Sequence, residues 1–285
     1  MIMLLFGLLK PRIVFGNLIS SLGGFLLASK GNVNYYLLFL NLISISLVVS
    51  SACILNNVID YKIDQRMNRT KNRILVINSC FYNLAVYISV FLGIFGLFLY
   101  GWFFNSLCVL LASCALIIYI VFYSLYLKMK SRHSTIIGSL SGAIPPILGY
   151  CSVVNHINLC MVNLFIIFFI WQIPHSYSIF VKNLQDYKNA KIPVFPAVKP
   201  FLTVRYHVNI FILLFLMCTC SLTIINCTGY KFFYSLLILS LIWFYLSIKK
   251  YDNDKEHIIW SKNVFYCSIL IMFIMNIMIS IDFIN

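Results

Sequence analysis

Charged residues are scarce in this chain, and acidic residues are the scarcest of them. Only 10% of its 285 residues are charged, with seven Asp and Glu against 21 Lys and Arg, for a net charge of +14. Hydrophobic residues make up 62%, and the mean hydropathy is +0.95. Soluble domains carry about 25% charged residues, so the composition excludes an ordinary soluble protein.

Sequence patterns for disulfides and for metal clusters are also missing. The ten cysteines are scattered, mostly within apolar runs, and no two of them form a CxxC pair. A disulfide framework or a structural zinc site needs a regular set of Cys or His residues. We therefore interpret the cysteines as small apolar residues.

Apolar runs of about 20 residues recur along the chain, and this is the length that crosses a hydrocarbon core of about 30 Å. The runs are continuous rather than alternating. This favours helices over barrel strands, the two structures that satisfy every backbone hydrogen bond in lipid. We predict an all-α polytopic membrane protein with nine transmembrane helices, near residues 13–29, 36–57, 77–99, 103–126, 135–154, 161–181, 208–226, 231–248 and 264–282.

The positive charges predict the orientation of these helices. If the N-terminus is cytosolic, every Lys and Arg except Lys30 and Lys231 falls on the inner face. The positive-inside rule then places the N-terminus in the cytosol and the C-terminus outside. Because the basic residues flank spans and no separate soluble domain remains, their number does not indicate nucleic-acid binding.

The chain is predicted to be a single transmembrane domain, residues 1–285, with a weak internal repeat. Lys10 precedes the first predicted span just as Lys128 precedes the fifth, 118 residues later. We therefore expect two four-helix halves and one final helix, at about 8–126, 127–248 and 264–282.

An acidic stripe ends the second predicted span. Asn56, Asp60 and Asp64 are spaced i, i+4, i+8, which places them on one helix face about 6 Å apart. Carboxylates near lipid usually face a bundle interior or a wet cavity, and their hard oxygens suit Mg²⁺, which also binds waters and substrate phosphates. Arg69 and Arg73 follow and are spaced for one helix face, and guanidinium groups bind phosphate oxygens. This arrangement predicts a metal–diphosphate site; the alternative is that the carboxylates only cap the span and pair with nearby basic residues.

A second polar cluster ends the sixth predicted span. Pro174 predicts a kink, and His175 and Asp186 are eleven residues apart, so one helix could hold both on the same face. The alternative for His175 is a histidine whose hydrogen bonds are satisfied inside the membrane. In the fifth span, the small residues of Gly138–Pro146 predict close helix packing, and its proline pair predicts a bend.

The ordered motifs resemble the intramembrane aromatic prenyltransferase superfamily and, within it, the haem O synthases, or protoheme IX farnesyltransferases. The resemblance covers essentially the whole chain. The residues that carry it are Lys10 to Arg12, Asn56, Asp60, Asp64, Met67, Arg69, Thr70, Arg73, Tyr123 to Lys128, Ile137 to Pro146, Trp171 to His175, Asp186, Tyr187, Ile192, Pro193, Trp260 to Ser268 and Asp282. There are two departures. The second Asp-rich motif of the wider superfamily is replaced by His175, Lys182 and Asp186, as in the haem O synthases, and Met129 stands where the family often has Arg.

This resemblance implies a Mg²⁺-dependent enzyme that transfers the farnesyl group of farnesyl diphosphate to a vinyl group of haem B. The product is haem O, with its hydroxyethylfarnesyl side chain. The resemblance implies that Asn56, Asp60 and Asp64 hold Mg²⁺ and are catalytic together with His175 and Asp186. The implied diphosphate-binding residues are Arg69, Arg73, Lys128 and Lys130. Further candidates for binding haem or the diphosphate are Lys10, Arg12 and Lys182.

The resemblance also implies a bacterial inner-membrane protein with its site on the cytoplasmic face. Association with haem A synthase or with terminal oxidase assembly is implied as well. Two alternatives stay open: a prenyltransferase for another acceptor in quinone or pigment synthesis, and a transporter or haem-handling membrane protein without enzymatic activity. A transporter gives no reason for the polar arrangement of residues 56–73 at the membrane edge. An assay for released diphosphate separates a prenyltransferase from a transporter.

Overall fold

The computed structural model describes residues 7–249, 251 and 253–283. In that part of the chain the regular structure is helical, apart from one isolated β-bridge between Thr228 and Phe283. The longer helices are α1 (Pro11–Ser29), α2 (Tyr35–Ile59), α3 (Tyr82–Phe103), α4 (Ser106–Ile117), α5 (Ser134–Gly142), α6 (Ile144–Cys151), α7 (Leu159–Lys182), α8 (Phe201–Ile224), α9 (Tyr230–Ile248) and α10 (Asp254–Ile281). A π-helix, Ile118–Leu127, continues α4. Short helical turns lie at Tyr61–Asp64, Ile74–Ile77, Ser79–Phe81, Leu184–Asn189 and Phe195–Val198.

Eight helical segments of the described chain are long and apolar enough to cross a membrane. They are α1, α2, α3 with the turn before it, α4 with its π-helix, and α7 to α10. The prediction of an all-α, multi-pass membrane protein is therefore confirmed.

The fifth predicted span, residues 135–154, is not one helix. It consists of α5 and α6, which meet at Ala143. Pro145 and Pro146 have no N–H, so two hydrogen bonds to the preceding turn cannot form. With nine and eight residues, neither half is long enough to cross a bilayer alone. A ninth continuous spanning helix is thus not found among the described residues.

Two helices begin earlier than their hydropathy predicts. α8 begins at Phe201 rather than near residue 208, and α10 begins at Asp254 rather than near residue 264. Asn253 caps α10, because its side chain accepts a hydrogen bond from the Glu256 N–H at 3.0 Å. Hydropathy marks only the part of a helix that lies in the apolar layer, whereas these two helices extend into polar surroundings.

The spanning helices pack into a closed ring. α1 contacts α2, and the contacts continue in order through α3, α4, α5, α7, α8, α9 and α10, which returns to α1. α6 is buried along its whole length and contacts α1, α2, α4 and α7, so it fills the interior of the ring. Its backbone touches that of α1: a Cβ atom added at Gly149 would lie 1.9 Å from the carbonyl oxygen of Ser21. This close approach requires glycine, as small-residue contacts between membrane helices do.

The outer surface of the ring is apolar. On α3, for example, the rings of Phe91, Phe95, Phe98 and Trp102 stack in a row and are all exposed. Soluble monomers rarely expose contiguous apolar patches larger than a few hundred Å². This surface is therefore suited to lipid.

Candidate functional site

Asn56, Asp60 and Asp64 form a buried stripe where α2 ends. α2 stops at Ile59, and Asp60 leads into the turn Tyr61–Asp64. Backbone hydrogen bonds from Asp60 N to Asn56 O (2.9 Å) and from Asp64 N to Asp60 O (2.8 Å) preserve the i, i+4 spacing. The three side chains are only 5%, 2% and 3% exposed, in chain order. The sequence spacing thus survives although the segment is not one continuous helix.

Each residue of this stripe contacts one cationic side chain. The pairs are Lys10 Nζ with Asn56 Oδ1 (2.7 Å), Arg73 Nη1 with Asp64 Oδ2 (2.6 Å) and Lys128 Nζ with Asp60 Oδ2. Burial, and after it the nearby charge of Arg73, lowers the pKa of Lys10 to about 8. At neutral pH three cations therefore face two carboxylates, and the cluster is net positive. Such a cluster attracts a polyanion such as a diphosphate.

The π-helix brings Lys128 to this cluster. Its wide turns are marked by the backbone hydrogen bond from Lys128 N to Tyr123 O (2.9 Å), and the Ser124 hydroxyl donates to the Tyr119 carbonyl oxygen (2.8 Å). Ser124 Oγ in turn accepts a hydrogen bond from Asn56 Nδ2 at 3.2 Å. π-Helical segments are rare and are frequent at functional sites. Sequence reasoning missed Ser124, because nothing in its neighbourhood signals a π-helix.

The stripe fits a hard divalent cation. Asp60 Oδ1 is buried and has no hydrogen-bond partner in the described part of the chain, so one carboxylate oxygen is left for another ligand. A buried carboxylate oxygen without a partner is costly. No group of three or more His, Cys, Asp or Glu residues that could hold a metal occurs in the described chain. The stripe offers only the carboxylates of Asp60 and Asp64 and the amide of Asn56. A metal bound there would have room for water and phosphate oxygens, as Mg²⁺ sites in proteins do.

Arg69 and Asp186 meet in a way the sequence did not indicate. The spacing of Arg69 and Arg73 predicted one shared helix face. That prediction is wrong, because residues 65–73 form turns rather than a helix. The Asp186 carboxylate instead accepts hydrogen bonds from the backbone N–H groups of Asn68 (3.2 Å) and Arg69 (3.0 Å). Asp186 thus ties the segment after α7 to the loop that follows the stripe.

His175 and Asp186 do not lie on one helix, contrary to the expectation. α7 runs unbroken through Pro174 and ends at Lys182, and Asp186 belongs to the separate turn Leu184–Asn189. His175 contacts α10, where its Nδ1 lies 2.8 Å from Ser268 Oγ. The helix ends at Lys182, close to the predicted end of the span at residue 181, so the spacing of eleven residues does not place the two side chains on a common helix face.

Three other candidate cations lie apart from the stripe. Lys130 Nζ lies over the ring of Tyr126, 5.7 Å from its centroid, and Lys182 Nζ lies over Phe265 at 5.8 Å. Arg12 is exposed on the first turn of α1. These positions give no contact with Asn56, Asp60 or Asp64, and the assignment of these cations to a ligand stays a prediction.

Aromatic side chains border the cluster. Tyr119 and Tyr123 stack with ring centroids 5.6 Å apart, and Tyr123 precedes Ser124, whose hydroxyl accepts the hydrogen bond from Asn56. Tyr187 is buried near Lys128 and Arg73, and burial raises the pKa of its phenol, which therefore stays neutral. Aromatic faces stabilise nearby positive charge, so these rings can border a cationic species.

Known proteins resemble this chain over nearly its full length. The model of the UbiA prenyltransferase family matches residues 17–277. The chain is 44% identical to a protein named protoheme IX farnesyltransferase from Buchnera aphidicola subsp. Baizongia pistaciae, over 99% of this chain and 98% of the relative. It is 41% identical to a protein of the same name from Pseudomonas syringae pv. tomato, covering 96% of this chain and 92% of that one.

Solved structures share the fold at low sequence identity. A structure concerned with digeranylgeranylglyceryl phosphate synthase superposes with a TM-score of 0.79 at 15% identity, over 98% of both chains. A UbiA homologue from Archaeoglobus fulgidus bound to DMAPP and Mg²⁺ gives 0.71 at 14% identity, over 94% of this chain and 98% of that one. The ring of helices is therefore that of the UbiA proteins. Together, the family match, the close relatives and this fold establish that the chain belongs to the UbiA prenyltransferase family and is a membrane-embedded prenyltransferase.

Proposed function

We propose that this protein transfers the farnesyl group of farnesyl diphosphate to a vinyl group of haem B, giving haem O. The observation that carries the proposal is the buried stripe of Asn56, Asp60 and Asp64 with a cation on each member. The names of the relatives, protoheme IX farnesyltransferase, supply the prenyl donor and the acceptor. The Mg²⁺-bound state of the A. fulgidus homologue supports the choice of metal.

The chain's own residues fit the first part of this reaction. Asn56, Asp60 and Asp64 would hold Mg²⁺, which supplies charge neutralisation and orientation of the leaving diphosphate. Lys128 and Arg73 lie beside the same carboxylates, so their positive charges can stabilise negative charge that develops on the leaving group. When the allylic carbon–oxygen bond breaks, its electron pair leaves with the diphosphate and the farnesyl group becomes an allylic cation.

The second part needs an aromatic, water-poor surrounding. The rings of Tyr119 and Tyr123 stack beside Ser124, which contacts Asn56 of the stripe, and they can stabilise the allylic cation. The cation adds to the haem vinyl group, and the resulting carbocation takes up water with loss of a proton, which gives the hydroxyethylfarnesyl side chain. Exclusion of water by the packed helices delays premature capture of the first cation.

We also propose the placement of this enzyme in the bacterial inner membrane. α5 and α6 together form the fifth of nine crossings, with the N-terminus in the cytosol and the C-terminus outside. The halves are residues 8–126 and 127–248, followed by the final helix. The stripe then faces the cytoplasm, where the basic residues concentrate. Association with haem A synthase or terminal oxidase assembly, which would consume the product, stays a prediction.

An assay with the purified full chain tests the function. In detergent or vesicles, haem B, farnesyl diphosphate and MgCl₂ are expected to give haem O and diphosphate, both measured by chromatography and mass spectrometry. Replacing haem B by an aromatic acid tests the other acceptor class. Absence of haem O under conditions in which a close relative makes it would contradict the proposal, and prenylation of the aromatic acid alone would favour the alternative acceptor.

Asp186→Ala is expected to raise the KM for farnesyl diphosphate about tenfold while changing kcat less, because the carboxylate positions the Arg69 loop rather than the reacting atoms. Asp186→Asn keeps one acceptor oxygen, so its KM for farnesyl diphosphate is expected to lie between those of the wild type and Asp186→Ala. The matched control is Gln185→Ala, which replaces an exposed neighbour whose side chain donates to Asn189 Oδ1 at 3.0 Å. A fall in kcat with unchanged KM would instead assign Asp186 to the chemical step.

A further inference from the structure

The protonation of His175 is fixed by its neighbour on α10. Ser268 Oγ donates its hydrogen to the carbonyl oxygen of Phe265 at 2.6 Å. Its single hydrogen is therefore engaged, and in the contact with His175 Nδ1 at 2.8 Å the hydroxyl oxygen must accept. His175 consequently carries its proton on Nδ1, and Nε2 presents a bare lone pair.

The ring of His175 is held so that one edge stays open. It stacks on Trp171 with centroids 4.7 Å apart and planes 20° apart, and on Phe265 at 5.0 Å and 29°. Two nearly parallel rings this close cannot share one face of the imidazole, so they cover opposite faces. His175 is nevertheless only partly buried. The remaining exposed edge is the one that carries Nε2.

This edge has no partner among the residues that the structure describes. Among residues 7–249, 251 and 253–283, none makes a hydrogen bond to Nε2. Trp171 does not compete for it, because its indole N–H donates to the Ser268 carbonyl oxygen at 3.0 Å. The same serine thus fixes both Trp171 and His175, and the imidazole is rigid before any ligand arrives.

We propose that His175 Nε2 is an axial ligand of the iron of the haem acceptor. A metal-binding histidine typically donates its other ring N–H to an oxygen acceptor, which fixes the tautomer and the ring orientation, and His175 with Ser268 has this arrangement. An unprotonated Nε2 cannot donate to an ionised haem propionate, whereas its lone pair can bind an electron-pair acceptor such as iron. The inference rests on the proposed function, since it takes haem B as the acceptor.

Iron ligation gives the reaction a fixed acceptor. A prenyl cation adds to whichever double bond it meets first, so the position of the macrocycle decides which carbon reacts. One coordinate bond at the iron centre, with flat aromatic rings beside it, restrains a planar molecule that offers few other polar groups. His175 is thus a positioning residue for the acceptor, and the reacting atoms are elsewhere on the macrocycle.

Spectroscopy of bound haem tests this inference. Ferric haem B is titrated into the purified full chain without prenyl donor, and absorption and EPR spectra are recorded. The wild type is expected to give an imidazole-ligated spectrum. His175→Ala is expected to lose that signature and to bind ferric haem B at least about tenfold more weakly, and added imidazole should restore the spectrum. Metal-free protoporphyrin IX, which keeps the propionates, is expected to bind both proteins equally.

Two further variants sharpen the result. Ser268→Ala removes the acceptor for Nδ1–H and is expected to weaken haem binding about tenfold while keeping the imidazole signature. His133→Gln replaces an exposed histidine and should change neither spectrum nor affinity, which controls for adventitious ligation. Binding of Mn²⁺ with a farnesyl diphosphate analogue by His175→Ala establishes that this variant is folded.

The outcomes separate this inference from the function on which it rests. If the wild type makes haem O but the spectrum of its bound haem is unchanged in His175→Ala, ligation by His175 is wrong and the farnesyl transfer stands. Equal weakening of haem and of metal-free porphyrin would also overturn ligation. If the imidazole signature depends on His175 but no haem O forms, the site binds haem and the proposed reaction is wrong.

Discussion

Asp60→Asn is expected to lower the rate of prenyl transfer by about a thousandfold, the largest effect of any single substitution in this chain. Asp60 is the one stripe residue with a buried oxygen that lacks a partner, so it is the strongest candidate for direct contact with the metal. A metal that neutralises a leaving group contributes several kcal/mol to the transition state. A loss of about 4 kcal/mol corresponds to about three powers of ten in rate.

The same substitution is expected to leave the protein inserted and folded. Asn has nearly the shape of Asp, and although Lys128 loses its counter-charge, its side chain is 14% exposed and keeps access to water. Asp64→Asn should give a similar loss of rate, because Arg73 and the metal would lose the same kind of ligand. Initial rates at saturating haem B and farnesyl diphosphate, together with thermal melting in detergent, measure both expectations.

Asp254→Asn is the matched control for these variants. Asp254 is an exposed carboxylate at the start of α10, and its ion-pair partner is His257, whose Nδ1 lies 3.5 Å from Asp254 Oδ1. Its replacement changes the charge by the same amount, outside the stripe, and wild-type turnover is expected. Turnover of Asp60→Asn within tenfold of the wild type would show that the stripe does not hold the metal.

The stripe could be predicted from the sequence because its geometry is local. A spacing of four residues places side chains on one helix face, and backbone hydrogen bonds keep this spacing even where α2 gives way to a turn at Asp60. The multi-pass helical architecture was predictable for a similar reason, since it depends on the length and hydropathy of single segments.

The partners of the stripe were not predictable from spacing. Lys10 and Lys128 lie 46 and 68 residues from the side chains they contact, and their meeting depends on how α1, α2 and the π-helix pack. The contact of Asp186 with Arg69 likewise joins residues 117 positions apart. Periodicity describes one element at a time, and such contacts belong to the ring of helices as a whole.

Interruptions of helices were the other source of error. Pro174 lies inside α7 without ending it, whereas Pro145 and Pro146 together separate α5 from α6. One missing hydrogen bond can be tolerated in a helix that is packed on several sides, but two consecutive ones leave a full turn unsupported. The sequence shows Pro174 and the Pro145–Pro146 pair but does not tell which of them interrupts a helix, because the packing around each proline decides this.

The three cations around the stripe lead to a prediction about the order of binding. With Lys10, Lys128 and Arg73 on the three side chains proposed to bind the metal, the cluster is expected to repel a free divalent cation and to attract a diphosphate. When the diphosphate arrives, these cations can turn to its oxygens and free the carboxylates for the metal. Metal and diphosphate are therefore expected to bind cooperatively, each improving the affinity of the other by about 10- to 100-fold.

EPR of Mn²⁺, used in place of Mg²⁺, measures this coupling directly. The wild type is expected to bind Mn²⁺ weakly alone and tightly with farnesyl thiodiphosphate, an analogue that ionises slowly. Lys128→Ala is expected to bind Mn²⁺ alone more tightly than the wild type, since Asp60 loses its cation, and to gain less from the analogue. Lys62→Ala removes an exposed positive charge two residues from Asp60 and should behave as the wild type.

The sign of the Lys128→Ala effect is what makes the experiment decisive. If Lys128 only bound the diphosphate, its removal would weaken binding of the analogue and leave the affinity for Mn²⁺ alone unchanged. If it only stabilised the fold, both affinities would fall together. If Lys128 exchanges between Asp60 and the substrate, its removal raises the affinity for Mn²⁺ alone and reduces the gain in affinity that the analogue gives. Equal Mn²⁺ affinity of the wild type with and without the analogue would contradict that exchange.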